Sequence, residues 1–402
     1  MRRRARCLTR LYGRWAITER LTDCERTIGL RISLAARLQR KRFDMRARTM
    51  GMTLAQWRAI HAVSRAEGAT QRSIAEAMDV GDVTASRLVD RLVEKGASLY
   101  ELADRKAVFT PPEGSGIHPR EAAQHHVAAL PGLVSDALAD AQLAPDELAL
   151  VAYARGPGLG PCLRTGATAA RALAHTHGLP LLGVNHCVAH LEIGLLEGAT
   201  DPVLLYLSGG NTQVIGYAHG RYRVFGETLD IGIGNMLDKF GREAGLEFPG
   251  GPKLEALAEG PELEPLPYSV KGMDMAFSGL LTAALRKLAD GMELPRLAYA
   301  IQETAFAMAC EVAERALAHT GKTELVLGGG VACNARLREM ARTMARERDV
   351  ACFAPSKALC VDNGVMIAWL GHVMQAGGYE TQPQDDRVDQ RFRTDMAEVT
   401  WR

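Results

Sequence analysis

Nowhere in these 402 residues does an uninterrupted apolar run approach the ~20 positions a membrane-crossing helix needs, so no membrane association is expected. The beginning, Met1-Arg2-Arg3-Arg4, is charged but has no apolar stretch behind it, and does not read as a secretory leader. Glu19, Asp23 and Glu25 interrupt the Arg-rich start and set it apart from an organelle transit peptide. No C-x-x-C pair occurs among the eight cysteines. Such scattered thiols read as reduced residues, not as a disulfide frame, and predict a cytoplasmic protein. Charge of one sign is missing too: the net charge is +1, so nothing global draws the chain to nucleic acid or membrane. There is also no G-x-G-x-x-G fingerprint and no Walker A lysine loop.

What is present is ordinary globular material, 47% hydrophobic and 24% charged, in a length that suggests two to three domains. The charge balance hides an asymmetry. Residues 1–49 hold fifteen Arg or Lys against four acidic residues by direct count. The first hundred residues are rich in Arg, Ala and Leu, poor in glycine, and read as a basic helical segment over 1–98. From Thr70 the pattern is that of a helix-turn-helix: Ile74, Ala75 and Met78 form one apolar face, and Gly81 lies in the turn. A second helix follows, with Thr84, Ser86 and Arg87 outward and Gly96 placed to cap its end. The stretch Arg37 to Gly96 resembles the MarR group of winged-helix regulators, whose second helix enters the DNA major groove. A complete wing and the dimerisation helices do not follow it. The bland alternative is a helical segment with a solvated basic face.

After Thr110 glycines cluster, and short apolar runs bounded by Gly or Pro alternate with helical periods. Runs at 148–154, 202–208 and 324–330 read as buried strands, and Ala122–Ala139, Thr165–His177 and Ala298–Thr320 as helices. This alternation predicts an α/β architecture of two related lobes. In G-V-N-H-C-V-A-H-L-E (183–192), His186 and His190 fall one helical turn apart. They are two ligands of one metal, or two helix-surface histidines. Cys187 stands where a zinc protease of the H-E-x-x-H type needs its glutamate, which excludes that chemistry. Two Gly-rich turns, in L-Y-L-S-G-G-N-T-Q-V (205–214) and L-G-G-G-V-A-C-N-A-R-L (327–337), end strands; the second opens a helix, a natural phosphate or ribose site. In C-V-D-N-G-V-M (360–366), Asp362 precedes an apolar helix, so it caps the helix, binds metal, or does both.

Together with G-I-H-P-R-E-A-A-Q-H-H (116–126), A-R-G-P-G-L-G-P-C-L-R-T-G (154–166), F-G-E-T-L-D (225–230), F-P-G-G-P-K (248–253), K-G-M-D-M-A-F-S-G-L-L-T-A (271–283), Q-E-T-A-F-A-M (302–308) and the ending V-T-W-R, these motifs occur in the order of one family. Residues 99–402 resemble the tRNA N6-adenosine threonylcarbamoyltransferases (TsaD/Gcp-like), in the archaeal/eukaryotic form that works in the KEOPS complex. The resemblance implies an actin-like, sugar-kinase-like (ASKHA) fold of two α/β lobes around a cleft. It implies transfer of a threonylcarbamoyl group from threonylcarbamoyl-adenylate, or binding of an ATP-like nucleotide, with N6 of the adenosine at tRNA position 37 as acceptor. By position, His186, His190, Asp362 and Tyr206 would hold one divalent metal, iron or zinc. Residues Tyr206, Leu207, Ser208, Gly209 and Gly210 would lie against the adenylate, Asp238, Gly251 and Glu255 at its ribose, and Asn334 across the cleft. Partners implied are tRNA and KEOPS-type kinase and accessory subunits. One departure stands out: the family's first strand, phosphate loop and returning strand are replaced by the regulator-like segment. That loss predicts exposed strand edges and impaired activity. The alternative function is a MarR-like DNA-binding regulator with a non-catalytic nucleotide-binding part.

Overall fold

The structure is a computed structural model that describes residues 102–112, 115–260, 262–381 and 387–402. The helix-turn-helix expected within 1–98 lies outside the described residues. Residues 103–112 form neither helix nor strand. Helix α1 (Pro119–Ala141) leads through a short turn to β1 (Val151–Gly156), α2 (Gly160–His177) and β2 (Leu181–Asn185). Then come α3 (His186–Gly194) and a three-stranded meander, β3 (Val203–Leu207), β4 (Thr212–Ala218) and β5 (Arg221–Glu227). Helices α4 (Ile233–Glu243) and α5 (Gly250–Leu257) precede the small hairpin β6 (Val270–Lys271) and β7 (Asp274–Met275). Helices α6 (Ser278–Ala289) and α7 (Leu294–Thr320) follow, then β8 (Glu324–Gly328), α8 (Ala335–Glu347) and β9 (Ala351–Phe353). The described chain finishes with α9 (Lys357–Cys360), α10 (Gly364–Ala376) and a tail with a 3-10 turn at Thr394–Met396.

Local chemistry accounts for most of these limits. Proline occupies the first turn of α1, α2 and α7, where its missing N–H has no helical partner to lose. Gly178 and Gly321 end α2 and α7 in the left-handed conformation, at φ 65° and 68°. The expected strands appear at β1, β3 and β8. β1 begins three residues later than 148 because a 3-10 turn at Pro145–Glu147 precedes it.

The larger sheet has the order β5-β4-β3-β8-β9. Its first three strands are antiparallel neighbours, and β3, β8 and β9 run parallel. The smaller sheet holds β1 and β2, parallel and bridged by α2. The unit β1–α2–β2 therefore repeats the unit β8–α8–β9. Among the described residues it has no counterpart of the β3–β4–β5 meander. The main core lies between the larger sheet and α4, α6 and α7, built on Leu205, Leu207, Phe240, Phe277, Ile301 and Phe306. Alanines along the buried side of α7 let that helix approach the sheet closely. No helix of the described residues is long and apolar enough to cross a membrane.

Candidate functional site

Asn185 ends β2 and starts α3: its side-chain oxygen accepts the amide hydrogens of Cys187 (3.0 Å) and Val188 (3.1 Å). This N-cap fixes where the helix begins. His186 and His190 then share one face, with ring centroids 4.9 Å apart. Asp362 arrives from the far end of the sequence, between α9 and α10. Its Oδ1 lies 3.2 Å from Nε2 of each histidine. One ligand atom from each of the three residues lies within 4.8 Å of the others. The reading of Asp362 as a helix cap is corrected here. Asn363 is the N-cap of α10, its side chain accepting the Met366 amide at 2.8 Å, so the Asp362 carboxylate is left to the histidines.

The ionisation states suit a cation. Burial lowers the proton affinity of His190 and outweighs the hydrogen bond to Asp362, so the ring stays neutral with a lone pair to offer. Desolvation acts upward on Asp362, but its hydrogen bonds to His186 and His190 prevail and hold the carboxyl well below the usual range. Among the described residues, His190 Nδ1 is buried without a hydrogen-bond partner. Two imidazoles and one carboxylate leave coordination positions open and suit a divalent transition metal. Tyr206 packs against His190, ring centroids 4.8 Å apart. Burial, with Cys187 and Asp362 adding, pushes its phenol well above the ordinary value. It stands beside the cluster as a neutral hydroxyl.

Tyr206 is also the penultimate residue of β3, whose end makes the Gly-rich turn. The Ser208 amide donates to Asn211 O at 2.8 Å, and the Asn211 amide to Ser208 Oγ at 3.1 Å. The turn seats on the start of α4, where the amides of Gly234 and Asn235 donate to Ser208 O (3.2 Å) and Gly209 O (2.9 Å). The opposite turn closes just as tightly. Gly329 has φ 89°, and a Cβ there would lie 2.3 Å from Leu207 O. Gly210, Gly251 and Gly330 instead face open space.

The remaining expected residues form two capping groups near these turns. Asp238 Oδ1 accepts the amides of Gly250 (2.9 Å) and Gly251 (3.3 Å), and its proton affinity is raised by burial despite them. Glu255 Oε1 accepts the Ala335 amide at 2.7 Å, joining α5 to the start of α8. Asn334 caps α8 through the Leu337 amide at 3.1 Å and donates to Gln302 Oε1 at 2.8 Å. Leu207 is buried in the core. Sequence reasoning passed over three groups. Gln302, within Q-E-T-A-F, is buried and orients Asn334. Lys106 donates to Asp362 O at 2.9 Å. Glu192, within the histidine motif, anchors the C-terminal tail. Only their place inside quoted motifs, or beside them, hinted at a role.

Residues 99–369 match the family described as tRNA N6-adenosine threonylcarbamoyltransferase, and residues 50–97 match the MarR family. A "tRNA N6-adenosine threonylcarbamoyltransferase" of Thermococcus kodakarensis is 56% identical over 291 residues, 72% of this chain and 90% of that protein. A "probable bifunctional tRNA threonylcarbamoyladenosine biosynthesis protein" of Methanothermobacter thermautotrophicus is 53% identical over 320 residues. That alignment takes in 79% of this chain and 59% of the relative, so the chain spans little more than half of the bifunctional protein. Among solved structures, HypF of T. kodakarensis aligns with a TM-score of 0.52 at 17% identity, over 64% of this chain and 44% of that one. With the two repeated β–α–β units, this places the described residues in the actin-like, sugar-kinase-like class of two-lobed α/β folds.

Proposed function

The chain belongs to the tRNA N6-adenosine threonylcarbamoyltransferase family, and from that premise we propose that it moves a threonylcarbamoyl group from threonylcarbamoyl-adenylate to N6 of the adenosine beside the tRNA anticodon. The observation that carries this reading is the convergence of His186, His190 and Asp362 next to a strand-end turn that faces open space at Gly210. In this reading those three residues hold one divalent ion, iron by the two-histidine, one-carboxylate donor set, with zinc the second choice. When bound, such an ion supplies Lewis-acid polarisation of the carbamoyl carbonyl and neutralises the departing phosphate.

The chain's own groups do the rest. The Ser208–Gly210 turn lies against the adenylate, and the neutral Tyr206 hydroxyl offers a hydrogen bond at the same edge. Asp238 and Glu255, now occupied in capping, exchange backbone amides for ribose hydroxyls beside Gly251. Asn334, its amide fixed by Gln302, closes the opposite side. In the transfer the N6 nitrogen bonds to the carbamoyl carbon, the carbon–oxygen bond to phosphate breaks, and adenylate leaves. The N6 proton passes to solvent.

The proposed organisation is a basic segment over 1–98 and a transferase domain over 99–402, acting in the cytoplasm. Beyond tRNA, a kinase and accessory subunits of the KEOPS type are the proposed partners. The word "bifunctional" in the names of relatives, which are longer than this chain, supports a second activity acting alongside. The test supplies purified protein with threonylcarbamoyl-adenylate, ferrous or zinc ion, partner subunits and unmodified tRNA, and follows the modified nucleoside by mass spectrometry. Product is expected, together with its loss in His186→Ala and His190→Ala. Undiminished product from the double variant would remove these histidines from the mechanism.

A further inference from the structure

The helix that carries both histidines is gripped along its length by the end of the chain. At its start, Asn185 turns its amide nitrogen to the tail, donating to Phe392 O (3.0 Å) and Arg393 O (3.3 Å), while its oxygen caps the helix. Next along the tail, Thr394 is 1% exposed and its hydroxyl donates to Gln213 Oε1 at 3.4 Å. At the far end, Glu192 is 3% exposed and its Oε1 gathers three donors. These are Trp401 Nε1 at 2.8 Å, Arg402 Nε at 3.4 Å and the Tyr222 hydroxyl. The Arg402 guanidinium also lies over the rings of Tyr217 and Tyr222, 5.5 and 5.6 Å from their centres.

The same knot reaches the second ligand-bearing element. Trp369 of α10, the helix that follows Asp362, donates through Nε1 to the backbone oxygen of Glu192 at 3.2 Å. Trp401 is pressed onto the end of α10, where a Cβ at Gly377 would come within 2.5 Å of its own Cβ. Glu192 follows His190 by two positions, about 200° around the helix, so the tail holds the face turned away from the ligand atoms.

We infer that residues 392–402 act as a positioning strap for the metal site, with Glu192 as its anchor and Trp401 and Arg402 as its fastening. A helix of nine residues has little stability of its own, so its place is set by what surrounds it. A carboxylate as buried as Glu192 is tolerable only while its donors stay in place. Losing Arg402 or Trp401 therefore moves α3 toward solvent, and moves His186 and His190 with it. Metal ligands tolerate displacements of only about 0.5 Å before the geometry is spoiled. The strap touches neither substrate nor ion; it acts through the helix.

This inference rests on the proposed metal site, and the test separates the two. The full chain is titrated with Co2+, whose visible ligand-field spectrum reports both affinity and coordination geometry, well below the unfolding temperature. Arg402→Gln and Trp401→Phe are expected to weaken Co2+ about ten-fold or more, the loss usual when groups behind metal ligands are removed. They should also alter the spectrum, and Arg402→Lys should recover most of the affinity. Glu264→Gln, which loosens the ion pairs to Lys287 and Arg296 in another part of the fold, serves as the control for plain destabilisation. Binding must be reciprocal, so Co2+ should slow hydrogen exchange in residues 392–402. Affinity and spectrum unchanged in both tail variants, whatever their stability, would overturn the strap. No Co2+ binding by the unsubstituted chain would overturn the metal site itself, and the strap with it.

Discussion

Gly234 and Gly279 occupy the same position, the second residue of a helix, in α4 and α6. Helix propensity alone predicts that alanine at either site stabilises the chain by about 0.4–1 kcal/mol, chiefly by restricting the unfolded state. The surroundings split the pair. A Cβ at Gly279 meets nothing within 4 Å, so Gly279→Ala should raise stability by that amount. A Cβ at Gly234 would lie 2.7 Å from Ser208 O, 2.8 Å from Gly209 Cα and 3.0 Å from Gly209 N. All three are backbone atoms of the Gly-rich turn, which cannot rotate away as a side chain would. Overpacking of this kind costs roughly 1–3 kcal/mol, and the two hydrogen bonds that the Gly234 and Asn235 amides donate to the turn must lengthen as it retreats. Sterics therefore win at Gly234, with a net loss of about 1–2 kcal/mol. Urea unfolding of the full chain, followed by circular dichroism, measures both variants against the parent. Nucleotide affinity should fall only in Gly234→Ala, because the displaced turn enters the space that Gly210 leaves open. Equal shifts of the same sign in the two variants would refute the account of why glycine stands at 234.

Two further outcomes follow from ionisation. Desolvation opposes the charge of Asp230, but its carboxylate accepts the amides of Ile231 (2.6 Å), Phe277 (2.9 Å) and Ser278 (2.9 Å), and the net effect lowers its proton affinity. Its stabilising contribution is complete above the ordinary Asp range near 3.8 and is lost as pH falls through the depressed folded value. Asp230→Asn should therefore flatten the acid limb of a stability–pH curve; an unchanged limb would remove this cap from the acid response. A hydrogen bond from Cys360, with Arg338 and Lys357 close by, draws the Cys333 thiol below its ordinary value against the opposing effect of burial. Cys187 and Cys310 are pushed up to about 12 by burial. Among the described cysteines iodoacetamide should thus label Cys333 first, with mass mapping to identify the site. Labelling of Cys187 or Cys310 ahead of it would contradict these assignments.

The parts of the site legible in the sequence were those set by short-range rules. The i, i+4 spacing of His186 and His190 survives because Asn185 starts the helix one residue earlier, and glycines mark both turns because backbones meet there. Short-range rules also left real ambiguity. Asp362 and Asn363 are adjacent and both cap helices well, so only the structure distinguishes the cap, Asn363, from the carboxylate that meets the histidines. The start of α2 was read five residues late, since P-G-L-G-P looks like loop although Pro161 sits comfortably in a first turn. The bonds from Glu192 to Trp401 and Arg402 span about two hundred residues, and no local pattern announces them.

Among the described residues the two lobes differ in their strands. In the second lobe β3 stands between β4 and β8, so the meander supplies one flank of the parallel pair β8–β9. In the first lobe β1 has β2 as its single strand partner among the described residues. Yet every residue assigned to the metal and the nucleotide comes from β3, its turn, α3, α4, α5, or the segment from Asn334 to Asp362. None belongs to the strands that are lacking. The segment before the first helix reaches this site through Lys106, which donates to the carbonyl of Asp362. Ion binding and adenosine binding should therefore be separable from transfer.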